Sequence, residues 1–326
     1  MTSDPQGQAG MPMVPLGPGG PEVSRMGLGL AALARPAYIT GGRAGDLPDR
    51  SVEGLRQQTS TMLDAAYTAG IRYVDAARSY GRAEEFLAGW LAERGHADVV
   101  TGSKWGYRYV GGWRLDAIQH EVKEHSLVVF TAQLAESRAL LGRHLALYQV
   151  HSLTPESGFF ADAGLLRALA GLRADGVLVG LTTSGPSQGD TIRRALELTV
   201  DGRPLFSTAQ VTWNLLEPSV DEAAAEAASA GWAVLVKEGV ANGRLTPGAA
   251  PAPVTELADA RGVTADAIAL AAALARPWAS VVLSGAVTPP QLAANLAALT
   301  VGPLPELGLA EEPAAYWATR AARPWQ

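Results

Sequence analysis

Cysteine is absent from this chain of 326 residues, which excludes disulfide bonds, thiolate nucleophiles and cysteine-ligated zinc or iron–sulfur sites. Histidine is scarce, because the sequence has only five, and none belongs to a His-x-His or His-Glu-x-x-His pair that would seat a catalytic metal. We therefore expect no metal, and a metal-dependent hydrolase is disfavoured. Acid–base chemistry has to come from other side chains.

Long apolar runs and basic clusters are missing as well. No stretch reaches the roughly 18 uninterrupted apolar residues of a membrane span, and no basic cluster exceeds an arginine pair. With a net charge of −6 at pH 7, the chain lacks the positive surface that nucleic-acid binding needs, so neither nucleic acid nor membrane is an expected partner. The start of the chain has no signal-peptide pattern, which leaves the cytoplasm as the expected compartment.

The residues that are present indicate a globular α/β protein, with 48% hydrophobic and 18% charged residues. Short β-branched runs alternate with Ala- and Leu-rich helical stretches about eight times, which predicts a closed (β/α)8 TIM barrel in a single domain. Strands are predicted near residues 25–30 and at 71–75, 98–104, 146–151, 177–183, 208–213, 232–237 and 280–285. Helices are predicted at residues 52–69, 83–94, 131–141, 164–174, 190–199, 220–230, 264–275 and 289–299.

An open, doubly wound sheet would give the same alternation. Its phosphate-binding fingerprint is incomplete here, however, because Gly27 and Gly29 lack the third glycine at the required offset. Residues 1–20 are rich in Gly, Pro and Gln and predict a disordered N-terminal tail. The barrel is expected over residues 21–301, and the Pro-rich residues 302–326 are expected to form a C-terminal tail near the barrel mouth.

Four residues that suit acid–base chemistry follow successive predicted strands. Asp75, Lys104 and His151 end three of these strands, and Tyr80 follows Asp75 by five residues. Because the carboxyl ends of barrel strands meet at one mouth, we expect the four side chains to lie together. Each of them alone has a structural explanation, as a helix cap, a core histidine or a rim tyrosine.

Together, these side chains suit proton delivery to a carbonyl oxygen while a hydride arrives at the carbon. A free tyrosine has a pKa of about 10, and a nearby Lys104 ammonium would lower it. Asp75 would hold Lys104 and avoid an uncompensated buried charge. A neutral His151 would orient the substrate oxygen.

Residues 73–81, 104–106 and 147–152 resemble the Asp, Tyr, Lys and His segments of the aldo-keto reductase family, in the same order and spacing. The resemblance runs from about residue 25 to residue 300. It implies a (β/α)8 barrel without metal that uses NAD(P)H to reduce an aldehyde or ketone to an alcohol, with Tyr80 as proton donor. An alternative is a redox-sensing subunit that binds the cofactor on the same barrel but turns over little.

The resemblance also implies contacts to the cofactor. Thr182, Thr183 and Gln210 match the positions that hold the nicotinamide carboxamide. Lys237, followed by Glu238, stands where the family usually has an aromatic residue stacked on the nicotinamide. Lysine methylenes can cover a ring, or the ammonium can reach a phosphate.

Residues 284–295 resemble the segment that binds the adenosine phosphate, which makes Gly285, Thr288, Gln291 and Asn295 candidate contacts. Thr288 and the helix N-terminus that follows it suit an anion. Gly285 and Gln291 stand where many members have Lys and Arg for a 2′-phosphate, and Arg244 is either the substitute charge or a solvated loop arginine. NADPH is favoured over NADH on this pattern.

Aromatic residues near the strand ends suggest the substrate pocket. Trp105, Tyr107 and Trp213 would line it for a small carbonyl compound, although packing explains such residues equally well. Specificity is expected to reside in residues 108–125 and 302–326.

Overall fold

The structure is a computed structural model that describes residues 10–39 and 43–325. Eight parallel strands close into a barrel in chain order, and the last pairs with the first through Leu283 and Gly27. The predicted single-domain (β/α)8 barrel is therefore confirmed. Its strands are β1 (Met26–Gly29), β2 (Tyr73–Asp75), β3 (Val100–Trp105), β4 (Leu145–Leu153), β5 (Leu178–Thr183), β6 (Thr208–Thr212), β7 (Ala233–Lys237) and β8 (Ala279–Ser284).

Helices surround the barrel: α1 (Val52–Thr68), α2 (Ala83–Arg94), α3 (Leu127–Leu141), α4 (Ala163–Ala174), α5 (Gln188–Leu196), α6 (Asp221–Ser229), α7 (Ala265–Leu274) and α8 (Pro289–Leu296). Helix α3 begins at Leu127 rather than at the predicted residue 131, because the Ser126 hydroxyl caps it by accepting from the Val129 amide. Further short helices cover Arg43–Asp46, Ala252–Arg261 and Pro313–Ala321. Within the described ranges, no helix has the length and hydropathy to cross a bilayer.

The chain start forms a hairpin that closes the N-terminal end of the barrel. Strands Met13–Pro15 and Glu22–Ser24 pair antiparallel, and Leu16 packs with Tyr73 among buried barrel side chains. The prediction of a disordered tail is wrong for residues 10–20, while residues 1–9 lie outside the described residues. The glycines serve turn geometry here, since Gly17 has φ +82°.

Strand alternation decides which side chains reach the barrel interior. Tyr73 and Asp75 on β2 point inward. Gly102 on β3 leaves the room that Tyr73 fills, since a Cβ there would lie 2.1 Å from the Tyr73 hydroxyl. Two residues later on the same face, Lys104 points inward beside Asp75, which places this pair just beneath the mouth.

The C-terminal residues lie across that mouth. Helix Pro313–Ala321 buries Tyr316 and Trp317. Its Arg320 pairs with Glu238, which directly follows β7. Beyond the helix, Trp325 stacks on His120 with ring centroids 4.4 Å apart. The segment therefore covers the carboxyl ends of the strands, where the site lies.

Candidate active site

A cavity of about 310 Å³ opens at the carboxyl ends of the strands. Asp75, Tyr80 and His151 line it, and Lys104 lies directly beneath, bonded to Asp75. The four predicted side chains are thus brought together. Among the described residues, no group of three or more metal-ligating side chains could hold a metal ion.

Asp75 and Lys104 form a buried ion pair whose side chains are 4% and 0% exposed. The Lys104 ammonium donates to Asp75 Oδ2 and, at 2.9 Å, to the Ala76 carbonyl. Gln210 donates to the other Asp75 oxygen at 2.8 Å. Burial lowers the pKa of Lys104, and the Asp75 carboxylate opposes that shift. Each charge therefore depends on its partner.

Tyr80 lies over this pair in a turn that Gly81 makes with φ +60°. Its ring centroid lies 4.7 Å from Lys104 Nζ and 4.8 Å from the Arg35 guanidinium. Burial, followed by the Asp75 carboxylate, raises the pKa of Tyr80 well above its usual value, and Arg35 lowers it in part. The expected net lowering of the pKa of Tyr80 is therefore wrong, because burial and the Asp75 carboxylate raise this pKa by more than the nearby positive charge lowers it. The phenol is therefore protonated at neutral pH, as a proton donor must be.

His151 lies beside Tyr80, with ring centroids 5.5 Å apart. Burial, and then the Lys104 ammonium, hold its pKa well below the usual range, so the imidazole is neutral at pH 7. Its Nδ1 lies 3.4 Å from the Ser79 hydroxyl. If Ser79 donates there, the ring proton is on Nε2 and is available to a substrate oxygen.

Arg35 is a site residue that the sequence analysis missed. It is 2% exposed, and it donates to Glu121 at 2.7 Å and to the Ala31 carbonyl at 3.0 Å. Its guanidinium faces the rings of Tyr38, Tyr80 and Trp325 at 4.5, 4.8 and 4.9 Å. Arg35 and Glu121 are 86 positions apart, so no local pattern marks the pair.

One acceptor at the cavity suits the carboxamide of a nicotinamide cofactor. Gln210 lines the cavity, and its Oε1 is buried without a hydrogen-bond partner among the described residues. Because a buried acceptor without a partner is costly, this atom fits a ligand that donates to it. Asn295, the other predicted amide contact, does not line the cavity, and its amide nitrogen donates to Ser284 at 2.9 Å.

The two predicted threonine contacts differ in their placement. Thr182 Oγ1 already accepts from the Ser152 amide at 2.7 Å. Thr183 points outward, where its hydroxyl donates to Gln188, so its prediction as a cavity contact is wrong. Ser184 lines the cavity instead. The alternation of side chains along β5 is the signal that would have found it.

At the predicted adenosine end, Gly285 lines the cavity. The Thr288 hydroxyl caps α8 by accepting from the Gln291 amide at 3.4 Å. Gln291 accepts from the Val287 amide and donates to the Asp46 carboxylate at 2.8 Å. This contact places a negative charge beside Gln291, where the sequence analysis sought a positive one.

Arg244 does not supply that missing positive charge. Both of its terminal nitrogens donate to the Glu311 carboxylate, and its side chain does not line the cavity. With its side chain 29% exposed and ion-paired, Arg244 is closer to the alternative of a loop arginine without a cofactor contact than to the expected phosphate contact. Glu311 lies in the C-terminal segment, so this pair ties that segment to the barrel.

Lys237 and Glu238 both line the cavity. Lys237 Nζ donates to the Thr212 hydroxyl at 2.5 Å and lies 4.0 Å from Glu238. Burial lowers the pKa of Lys237 to about 8. Although burial would raise the pKa of Glu238, Arg320 and then Lys237 lower it to about 2. At neutral pH, Glu238 is therefore an anion that anchors Arg320.

The ion pair between Glu238 and Arg320 predicts that the C-terminal segment detaches at acidic pH. Because the pKa of Glu238 falls from 4.5 to about 2 on folding, its stabilisation is present above about pH 4.5 and is lost as pH falls towards 2. Proteolytic release of residues 302–326 should therefore increase over this range. In Arg320→Met the release should already occur at neutral pH, and equal cleavage of wild type and Arg320→Met at every pH would contradict this role.

Of the predicted pocket aromatics, only Tyr107 lines the cavity. Trp105 is 0% exposed and packs behind β3 against Phe130 at 5.0 Å. Trp213 is 4% exposed and packs against Trp278 at 6.3 Å. The pocket prediction is wrong for Trp105 and Trp213, because each directly follows an inward-facing residue and so points to the helices.

The comparisons with known proteins agree with this geometry. The aldo/keto reductase family model matches residues 44–311. A Pseudomonas aeruginosa protein whose name assigns it provisionally to the aldo-keto reductases is 23% identical, with a TM-score of 0.65 over 89% of this chain and 94% of its own. An aldo-keto reductase from Bacillus halodurans, in its holo form, is 20% identical, with a TM-score of 0.67 over 95% and 96%. No curated protein matches the chain.

Structural likeness at such low identity shows the fold alone. The family model goes further, since it spans most of the chain and includes Asp75, Tyr80, Lys104 and His151. The chain therefore belongs to the aldo/keto reductase family, whose members are oxidoreductases of small molecules.

Proposed function

We propose that the chain is a cytoplasmic NAD(P)H-dependent reductase that converts an aldehyde or ketone to an alcohol. The observation that carries the proposal is the placement of Tyr80 over the buried Asp75–Lys104 pair and next to His151, at one cavity. Burial raises the pKa of Tyr80 and lowers that of His151, which favours a protonated phenol and a neutral imidazole. This arrangement offers a proton donor and a hydrogen-bond donor to one oxygen.

Each residue has a distinct part in the reaction. The cofactor, when bound, supplies a hydride to the carbonyl carbon. His151 donates a hydrogen bond to the carbonyl oxygen, and Tyr80 transfers its phenolic proton to that oxygen as negative charge develops. Lys104 and Arg35 lie against the Tyr80 ring and stabilise the phenolate until solvent returns the proton. Gln210 Oε1 and Ser184 would hold the carboxamide.

NADH fits the adenosine end better than NADPH. The sequence pattern favours NADPH, with Arg244 as the candidate charge for its 2′-phosphate, but in the fold Arg244 donates to Glu311. The Asp46 carboxylate on Gln291 would repel a phosphate, whereas a carboxylate suits a free ribose hydroxyl. We therefore revise the preferred cofactor to NADH.

Thermal unfolding with each cofactor, followed by absorbance at the nicotinamide band with a panel of aldehydes and ketones, tests the proposal. A cofactor at a hundred times its Kd adds about 2.7 kcal/mol, which is about 4 °C for a chain of this size. We expect a larger shift with NADH and carbonyl-dependent oxidation of it. A shift without oxidation would favour the redox-sensing alternative, and no shift with either cofactor would exclude both readings.

Arg35 is expected to act as a positioning residue for Tyr80. Because its charge lowers the pKa of Tyr80, Arg35→Met should raise that pKa further and reduce the phenolate fraction needed for alcohol oxidation. The pH at which alcohol oxidation rises should therefore move upward by about one unit in Arg35→Met, because this limb of the profile follows the ionisation of Tyr80. Arg35→Lys keeps the charge and should keep the limb in place. A lower rate with an unmoved pH profile in Arg35→Met would indicate a purely structural role.

A further inference from the structure

Lys237 places a cation inside the cavity at a fixed position. Its side chain is 16% exposed, and its hydrogen bond to the Thr212 hydroxyl at 2.5 Å directs the ammonium into the mouth. Strands β6 and β7 are paired, and Thr212 on β6 lies opposite Lys237 on β7. Lys237 is therefore on the strand next to the one that carries Gln210. The ammonium therefore lies at the wall beside the carboxamide acceptor proposed above.

The charged groups around Lys237 do not neutralise the positive charge of its ammonium. Glu238 lies 4.0 Å away, but Arg320 of the C-terminal helix binds that carboxylate through two of its nitrogens. Across the mouth, Asp75 is bonded to Lys104, and His151 is neutral. Arg35 and Glu121 form a further closed pair. The described groups thus leave a positive charge at this wall of the cavity.

We propose that Lys237 makes the site discriminate between the two redox states of the cofactor, disfavouring the oxidised form. This inference rests on the proposed function. The reduced nicotinamide ring is neutral, whereas the oxidised ring carries a positive charge, and like charges repel strongly where water is scarce. The methylenes of Lys237 can cover either ring equally, so only the charge distinguishes them.

Two consequences follow for the reaction. Binding of the reduced cofactor is favoured at the start of a turnover, and repulsion after hydride transfer promotes release of the oxidised form. Both effects bias the chain towards carbonyl reduction. The protonated Tyr80 acts in the same direction, since reduction needs a phenol and oxidation needs a phenolate.

The discrimination should depend on pH, because the pKa of Lys237 is lowered to about 8. Below that pH the ammonium is charged and the oxidised cofactor binds weakly. Above it the amine is neutral, and affinity for the oxidised cofactor should rise. Tyr80 does not titrate in this range, since its pKa lies well above 10.0, and the neighbouring Glu238 is already ionised.

The test measures Kd of the oxidised and of the reduced cofactor by calorimetry, at about pH 6.5 and about pH 9.5 on either side of the Lys237 transition. Wild type, Lys237→Met and Lys237→Arg are compared. At the lower pH, Lys237→Met should bind the oxidised cofactor about tenfold more tightly, equivalent to about 1.4 kcal/mol, and the reduced cofactor within about twofold. Lys237→Arg should keep the discrimination at both pH values, since arginine does not lose its charge.

Other outcomes overturn the proposal. If Lys237→Met weakens both redox forms and lowers their salt sensitivity, the ammonium contacts a phosphate instead. If neither Kd changes, the charge is not sensed at all. If Lys237→Met folds poorly, the proposal is still tested by wild type alone. A wild type whose Kd for the oxidised cofactor is the same at both pH values would contradict it. A wild type that binds neither form refutes the proposed function, whereas one that binds and reduces carbonyls without discrimination refutes this inference alone.

Discussion

Tyr80→Phe is expected to lower turnover about 10²-fold or more, because the substrate oxygen loses its general acid. Tyr80 keeps its phenolic proton at neutral pH, because burial and the Asp75 carboxylate raise its pKa. Phenylalanine keeps the ring between Lys104 and Arg35, so packing and cofactor affinity should stay nearly unchanged. Steady-state turnover and cofactor Kd are measured on the same preparation.

Tyr148→Phe is a matched control for Tyr80→Phe. It also removes a buried hydroxyl, one that accepts from Ser137 at 3.3 Å, but Tyr148 does not line the cavity. We expect its turnover to remain within about threefold of wild type, because the variant loses only one hydrogen bond of modest strength, away from the cavity. Wild-type turnover in Tyr80→Phe would remove Tyr80 from the mechanism.

Lys104→Met should be the most destabilising substitution in the site. It leaves the Asp75 carboxylate, 4% exposed, without its ammonium partner, although Gln210 still donates to it at 2.8 Å. Breaking a buried ion pair from one side costs about 3–5 kcal/mol, which lowers the Tm of a chain this long by about 4–7 °C. Thermal unfolding at neutral pH measures the loss.

The double variant Asp75→Asn with Lys104→Met separates charge from packing. Because it removes both charges, it should recover part of the stability that Lys104→Met loses. Activity should stay low in both variants, since the phenolate of Tyr80 would have lost its neighbouring ammonium. Asp75→Asn is measured alone as well, and a double variant that loses as much stability as the sum of the two single variants would show that the charges are not coupled.

The barrel and the core of the site were predictable because both follow local rules. Strand and helix periodicity repeats along the chain, and Asp75, Lys104 and His151 stand at strand ends, which share one mouth. The errors at Trp105, Thr183 and Trp213 also have a local origin. Each neighbours an inward-facing residue, so alternation sends it to the opposite face. The register of the strand, rather than the residue type, decides whether such a side chain faces the barrel interior or the helices.

Other features depend on contacts between distant parts of the chain. Arg320 and Glu238 are 82 positions apart, and Gln291 and Asp46 are 245 apart. No periodicity or motif pairs such residues, because the closed barrel brings them together. The charge balance of the cavity therefore could not be predicted from the sequence. The choice of cofactor and the pKa of Tyr80 depend on that balance, so both had to be revised from the fold.

Deuterium transfer is the most direct test of carbonyl reduction by this site. The chain is incubated with NADH carrying deuterium at both hydrogens of the nicotinamide C4 and with the best carbonyl from the panel, and the alcohol is analysed by mass spectrometry. We expect one deuterium on the carbinol carbon with wild type, and at least about a hundredfold slower labelling with Tyr80→Phe. An alcohol formed without deuterium, or labelling at the wild-type rate in Tyr80→Phe, would contradict it.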